Sequence, residues 1–301
     1  MSETPPVERA GYVAIVGRPN VGKSTLLNRL VGQKLAITSA KPQTTRHRLL
    51  GIRTEDGIQA VFVDTPGMHP DEGRALNRYL NRTATGALEG VDLVLVVLQG
   101  THWTQQDQRV VELVKAGGQP AVAVVNKVDL VTDKAALLPQ LERLGAQGCF
   151  SEIVPVCARK GSGIDRLVQV VGRLLPEGGP LFPTDQVTDR SQSFLAAEIV
   201  REKLMRHLHQ ELPYVCTVSI ESFDEQPSGT EIGAVIWVER ASHKGIVIGK
   251  GGTMLKQIGS EARLDLETLL ETHVFLRLWV RERSGWTDDD LALRTLGYQS
   301  D

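Results

Sequence analysis

Only three cysteines occur in the 301 residues, Cys149, Cys157 and Cys216. The number is odd, the positions are scattered and no C-x-x-C pair is present, which argues against a disulfide framework and a cysteine-rich zinc site and fits a reducing compartment. Net charge is scarce too, with 34 basic against 36 acidic residues. Bulk electrostatics therefore predict no polyanion partner, and any nucleic-acid binding must come from local patches. Long apolar runs are missing. The longest, "VDLVLVVL", is too short to cross a bilayer and contains Asp92. The opening "MSETPPVERAG" is polar and carries acids, unlike a secretory or transit leader. A cytoplasmic chain without an integral membrane segment is the expectation. What the chain does have is 41% hydrophobic residues, enough for proper cores, in a length that suits two ordinary domains.

Short β-branched runs recur with helical stretches between them: "YVAIVG", "AVFVDTPG", "VDLVLVVLQG", "AVAVVNKVD" and "EIVPVCA". Strands apolar throughout belong in a sheet covered on both faces, which predicts a mostly parallel α/β sheet. "RLLGIRTEDGIQAVFV" reads as an antiparallel pair joined at Asp56-Gly57, placed at the sheet edge. The helical run "GIDRLVQVVGRLL" stops at Pro176, and "PEGGPLFPTD" follows, rich in proline and glycine. A domain boundary is expected there, giving domains 1–180 and 181–301. "SQSFLAAEIVREKLMRHLHQEL" then reads as an amphipathic helix capped by Ser191 or Ser193, and the remainder as α-β-β-α-α-β. The first 180 residues hold 21 basic and 17 acidic side chains and the rest 13 and 19, so the second domain is net acidic.

The stretch Gly17-Arg18-Pro19-Asn20-Val21-Gly22-Lys23-Ser24 matches G-x-x-x-x-G-K-[ST] between a predicted strand and a predicted helix, with Thr25 following. Glycines let backbone N–H groups curl around phosphate oxygens, Lys23 reaches the β and γ phosphates, and Ser24 ligates Mg²⁺. "DTPG" puts Asp64 at the end of a strand, where it can hold the Mg²⁺ shell, and lets the Gly67 N–H meet a γ-phosphate. In "NKVD", Asn126, Lys127 and Asp129 follow another strand. A carboxylate at Asp129 accepts both guanine N–H groups, whereas adenine would face it with acceptors, so the site selects GTP over ATP. Between the first helix and the second strand lies "SAKPQTTRHR", a loop able to close over the nucleotide. Thr45 is its expected Mg²⁺ hydroxyl, with Thr44 as the alternative. Lys23, Thr45 and Gly67 are the residues expected to carry catalysis. A small-molecule kinase would share the phosphate loop, but "NKVD" and the lack of a second substrate constellation speak against it.

A second glycine loop sits in "KGIVIGKGGTMLKQIG", read as a short apolar strand, the loop, and a helix. Gly249-Lys250-Gly251-Gly252 lacks the Lys-Ser ending that a Mg²⁺-bound triphosphate needs and fits G-x-x-G, a clamp on a single-stranded RNA backbone. Lys244, Lys250 and Lys256 supply local charge, and Ile246 and Ile248 flank the groove for bases.

These motifs in order resemble a translation-factor-type GTPase, and "GRPNVGKSTLLN", "KPQTTRHR", "DTPGMH", "ELPY", "GIVIGKGGTMLKQIG" and "LRLWVRERSGW" together are similar to the Era family over nearly the whole chain. The resemblance implies an Era-type GTPase domain and a type II KH domain. It also implies binding of GTP or GDP with Mg²⁺, recognition of the 3′ region of small-subunit ribosomal RNA, and a role in 30S subunit assembly. A monomeric, cytoplasmic protein, with peripheral contact to the inner membrane left open, goes with it. "VCARKG" stands where such GTPases place a base-contacting loop, usually Ser-Ala. Here Cys157 replaces the serine, and backbone N–H groups near Ala158 are expected to act. Where Ras-like GTPases carry a water-orienting glutamine, this chain has Met68, which leaves His69 and His47 as nearby candidates. Asn20 is the expected ligand for a K⁺ ion beside the phosphates. The competing reading is a constitutive RNA-binding protein in which GTP is mainly structural.

Overall fold

Strand residues buried on both sides are what set the frame of the first unit. In a computed structural model of the chain, which describes residues 6–67 and 73–298, the elements run β1 (Arg9–Val16), α1 (Lys23–Val31), β2 (Leu49–Glu55), β3 (Ile58–Asp64), α2 (Ala75–Gly86), β4 (Leu93–Gln99), α3 (Gln105–Gly117), β5 (Ala121–Asn126), α4 (Leu138–Ala146), β6 (Glu152–Pro155) and α5 (Ile164–Leu174). The six strands lie in the order β2-β3-β1-β4-β5-β6, and every pairing is parallel except β2 with β3. That exception is the expected hairpin, turned at Asp56 and Gly57 with φ of 51° and 74°. Leu93 to Leu98 and Ala121 to Val125 are wholly buried. Each Val or Leu so buried is worth about 1.5–3 kcal/mol, which is why these runs show no polar alternation. Val110, Val111 and Val114 of α3 and Leu144 of α4 pack on Ala14, Val94 and Val96. α1 and α5 contact β3, with α1 also on β1 and β2.

After α5 the chain stays against this sheet, first at the start of β1 and then along the free edge of β2. Ala10 N donates to Pro176 O (3.2 Å), Ile52 N to Val187 O (2.9 Å) and Thr188 Oγ1 to Leu50 O (2.7 Å). The compact unit accordingly continues past residue 180 to Asp189. Proline and glycine rule out a strand of normal length there, but they do not prevent backbone groups from pairing with the exposed edge of β2.

The second unit comprises α6 (Gln192–His207), β7 (Cys216–Gln226), β8 (Gly229–Val238), α7 (Ala241–Ile248), α8 (Thr253–Leu270), β9 (Val274–Glu282) and α9 (Asp290–Thr295). Ser191 caps α6, accepting from Phe194 N at 3.2 Å. β7 and β8 pair antiparallel and β9 joins β8 parallel, a return that needs the α7–α8 crossover. One core joins Ile199 and Leu204 of α6, Ile258 and Leu266 of α8, and Ile232 and Ile236 of β8. The structure corrects the reading of the segment before the second glycine loop: residues 241–248 form a helix, not a strand. Four residues of mixed polarity at 241–244 extend the apolar run "GIVI" backwards, which gives His243 and Val247 an i, i+4 spacing, and both are buried on one face. Beyond β9, Trp286 stacks on Tyr298 (ring centroids 5.9 Å apart) and donates to Val215 O. Packed with this unit are Ile37–Thr44 and the start of α2, where Leu76 N donates to Thr287 O at 3.0 Å.

Candidate functional site

β1, β3 and β5 end at one edge of the first sheet, and each passes directly into a motif, the position where open α/β sheets bind ligands. In the loop between β1 and α1, Asn20 and Gly22 take positive φ (64° and 102°). A Cβ on Gly22 would stand 2.4 Å from Asn126 Nδ2, so glycine is required for loop and base motif to approach. The Lys23 ammonium folds back onto the loop, donating to Gly17 O (3.0 Å) and Arg18 O (3.2 Å). Burial pulls its pKa down to about 8, with nearby Asp64 opposing and Arg18 adding to the fall. Thr25 lies half-buried in the first turn of α1.

Ser24, Thr45 and Asp64 come together. Ser24 Oγ donates to Asp64 Oδ2 (2.9 Å), Thr45 Oγ1 to the same oxygen (3.2 Å), and the two hydroxyls lie 2.7 Å apart. Thr44 is not part of this group: its hydroxyl donates to Lys41 O at 2.7 Å. Asp64 is fully buried, its pKa is raised by that burial against the pull of Lys23, and its Oδ1 has no hydrogen-bond partner. Hard oxygens, one of them with unused lone pairs, fit Mg²⁺. Among the described residues no cluster of three His, Cys, Asp or Glu forms a protein-only metal cage, so an ion here would share its shell with phosphate oxygens and water. Gly67 lies against Pro19 of the loop. Met68 and His69 lie outside the described residues, while His47 is half-buried.

At the base end, Asn126 Nδ2 donates to Val21 O (2.9 Å) and Asn126 Oδ1 accepts from Ala158 N (3.0 Å), so one side chain ties the phosphate loop to the loop after β6. A base carbonyl would share the Ala158 N–H with Asn126. Lys127 Nζ donates to Asn20 O at 2.6 Å. The Cys157 thiol bonds the Asp129 carboxylate and, with Arg159 at 3.0 Å, holds its pKa below the ordinary value. Asp129 is thus ionised and able to accept from a pair of N–H donors such as those of guanine. The cysteine does here what a serine hydroxyl would do.

Two arginines belong to the site that motif reading passed over. Arg18 Nε lies 3.2 Å from the buried Asp107 carboxylate, which also closes a capping box with Thr104 at the start of α3. Arg29 of α1 donates to Ala158 O (3.1 Å) and Arg159 O (2.8 Å). "TQQD" before the apolar run of α3 marks a cap, but nothing local in either case says which loop is held, because the partners are 89 and about 130 residues away.

In the second unit, Gly249 to Gly252 form the turn between α7 and α8. Gly249 has φ 74°, and a Cβ on it would meet Met254 Cβ at 2.7 Å. Gly251 and Gly252 also have positive φ, so the loop backbone is bare. The first turn of α8 has no acidic residue and no side-chain cap, leaving its N–H groups for an anion. Lys244, Lys250 and Lys256 are exposed and Ile246 is 54% exposed, whereas Ile248 packs partly on the core beneath.

Comparison with known proteins places both halves. A family model described as 50S ribosome-binding GTPase matches residues 12–127, and one described as KH domain matches residues 211–287. The chain is 54% identical over 290 residues to GTPase Era of Pseudomonas fluorescens, covering 96% of this chain and 97% of that protein. It is 54% identical over 296 residues to GTPase Era of Pseudomonas aeruginosa, covering 98% and 97%. Among solved structures it is similar to an Aquifex aeolicus Era variant bound to GDP·AlF4⁻, and to Era in complex with MgGDPNP and nucleotides 1506–1542 of 16S ribosomal RNA. Each is 39% identical with a TM-score of 0.93, covering 97% of this chain and 100% of that one.

Proposed function

The chain belongs to the Era family of GTPases, and from that premise we propose that it binds the 3′ region of small-subunit ribosomal RNA under control of its nucleotide state and acts in 30S subunit assembly. It hydrolyses GTP. The observation that carries the reading is one chain holding both a guanine-selective phosphate site and a bare G-x-x-G turn flanked by exposed lysines. In a related Era structure the RNA is a fragment of 16S ribosomal RNA. The division of labour falls within residues 180–189, GTPase before and KH after.

Phosphoryl transfer spreads charge over the γ oxygens, so the chain's work is positioning and electrostatics. In this reading Lys23 answers that charge, the loop N–H groups cradle the β-phosphate, and the Gly67 N–H meets the γ-phosphate. Asp64, Ser24 and Thr45 would hold Mg²⁺, which when bound neutralises charge on the β and γ oxygens. Asp129 accepts from guanine, with Cys157 orienting it. Asn20, exposed on the loop, would ligate a K⁺ ion beside the phosphates. Turnover in KCl is then faster than in NaCl at equal ionic strength, and equal rates contradict the ion site. On the RNA side, Gly249 to Gly252 clamp the backbone, with Lys244, Lys250 and Lys256 contributing charge and Ile246 apolar contact. The unit is net acidic, so affinity depends on this local clamp more than on a broad basic face. Replacing Lys250→Asp and Gly251→Asp together removes binding to a 16S 3′-end fragment and leaves GTP binding unchanged. RNA binding that survives the pair would overturn the assignment.

A further inference from the structure

The Asp129 carboxylate already has partners before any base arrives. Its side chain is 10% exposed, and besides the Cys157 thiol it accepts from Arg159 Nη2 at 3.0 Å, with Lys160 Nζ 3.9 Å from the same oxygen. Every residue of this cluster lies in the first compact unit. The two cations are far freer than the acceptor: their side chains are 74% and 60% exposed, so either can leave at little cost. The backbone that carries them is held. Arg29 Nε and Nη2 donate to the carbonyls of Ala158 (3.1 Å) and Arg159 (2.8 Å), and Ala158 N donates to Asn126 Oδ1 (3.0 Å). Cys157 N donates to Ser162 O (2.9 Å), and Cys157 O accepts from Gly161 N (2.8 Å). Movement here is therefore confined to the exposed side chains.

A guanine read by this site offers its carbonyl to the Ala158 N–H and, beside it on the same edge, two N–H donors to Asp129. Arg159 follows Ala158 directly, and its side chain crosses to Asp129, so it spans the interval that this edge would fill. Its guanidinium also repeats the chemistry of the edge, being planar with N–H donors fanned from one carbon and matched to a carboxylate. We propose that Arg159 stands in for guanine on Asp129 in the empty site, so that nucleotide entry exchanges one donor group for the other and Arg159 sets the association rate of GTP and GDP alike. A contact made only in the empty site lowers the binding-competent fraction, and with it the apparent affinity, while the rate at which bound nucleotide leaves stays the same. The proposal rests on Asp129 being the guanine acceptor.

The test compares Arg159→Ala with Lys160→Ala in the full chain, with Mg²⁺ and fluorescently labelled GDP or GDPNP followed by stopped flow. Each variant loses one positive charge beside an anionic ligand, which by itself slows association, but only R159A removes the hydrogen bond to the Asp129 oxygen. R159A should associate about two- to fivefold faster than K160A with either nucleotide, the range of an exposed ion pair, and dissociate at the same rate. The advantage should fade at about 1 M salt, where such a pair is screened. Equal association rates in the two variants, or faster dissociation from R159A, overturn the proposal. Asp129→Asn tests the reading beneath it and should cost at least about tenfold in GDP affinity. D129N at the parent affinity removes the guanine acceptor and the proposal with it, whereas D129N with the expected loss and parity of R159A with K160A overturns the stand-in alone.

Discussion

Lys23 sits where its charge is costly without an anion: burial, with Arg18 adding to it and Asp64 opposing, brings its pKa down to about 8, and the phosphates of a nucleotide bound at this loop would reverse that cost. The sign of the pH effect follows. In the free chain Lys23 holds its proton below pH 8 and loses it above, whereas in the complex the phosphate charge raises its pKa. GDP affinity is therefore flat below about pH 8 and falls by up to about tenfold per pH unit above it. Titration calorimetry across pH 7 to 9.5 checks this, and a flat profile throughout would show that the ammonium is not answering the phosphate. Lys23→Met should remove the slope together with most of the affinity. At this scale the motif residues were legible from order and spacing alone: Lys23, Ser24, Asp64 and Asp129 all converge on one edge of the sheet. Between Thr44 and Thr45 the sequence favoured Thr45 without a local signal to separate adjacent threonines; the hydroxyl partners separate them, Lys41 O for Thr44 and Asp64 for Thr45.

Elements make the motifs precise. β1, β3 and β5 were readable as buried parallel strands because both faces need apolar residues, and the β2–β3 hairpin because Asp-Gly turns tolerate positive φ. α7 was misread, since eight residues ending in "GIVI" satisfy a strand pattern as well as one face of a short helix. The run from Pro176 to Asp189 escaped for another reason: its order comes from partners on the sheet, Ala10 at the start of β1, the Gln59 side chain of β3 and the free edge of β2, and not from the segment itself. The same holds for the support of the phosphate loop by α3. Asp107 both closes the capping box with Thr104 and faces the Arg18 guanidinium. Asp107→Ala would lose the reciprocal cap bond and leave Arg18 without that partner, at a cost of about 2 kcal/mol. A urea melt of the full chain reads it. A midpoint shift worth less than about 0.5 kcal/mol would mean Arg18 finds equivalent partners.

For the whole molecule, the two glycine loops share one device, bare backbone that a phosphate could approach closely, in two different settings. One is tied to a Mg²⁺-fitting oxygen set and an ionised carboxylate at Asp129, the other to exposed lysines beside an uncapped helix start. A protein needs both in one chain if occupancy of the first is to bias the second, and such a bias is a coupling free energy that can be measured. The direct measurement is the affinity of the full chain for a 16S 3′-end RNA fragment, with Mg²⁺ and either GDPNP or GDP, at one fixed salt concentration. The account predicts at least about a tenfold difference between the two nucleotides, or about 1.4 kcal/mol of coupling. Equal affinities in the two states would contradict it and leave a constitutive RNA-binding protein in which GTP is mainly structural.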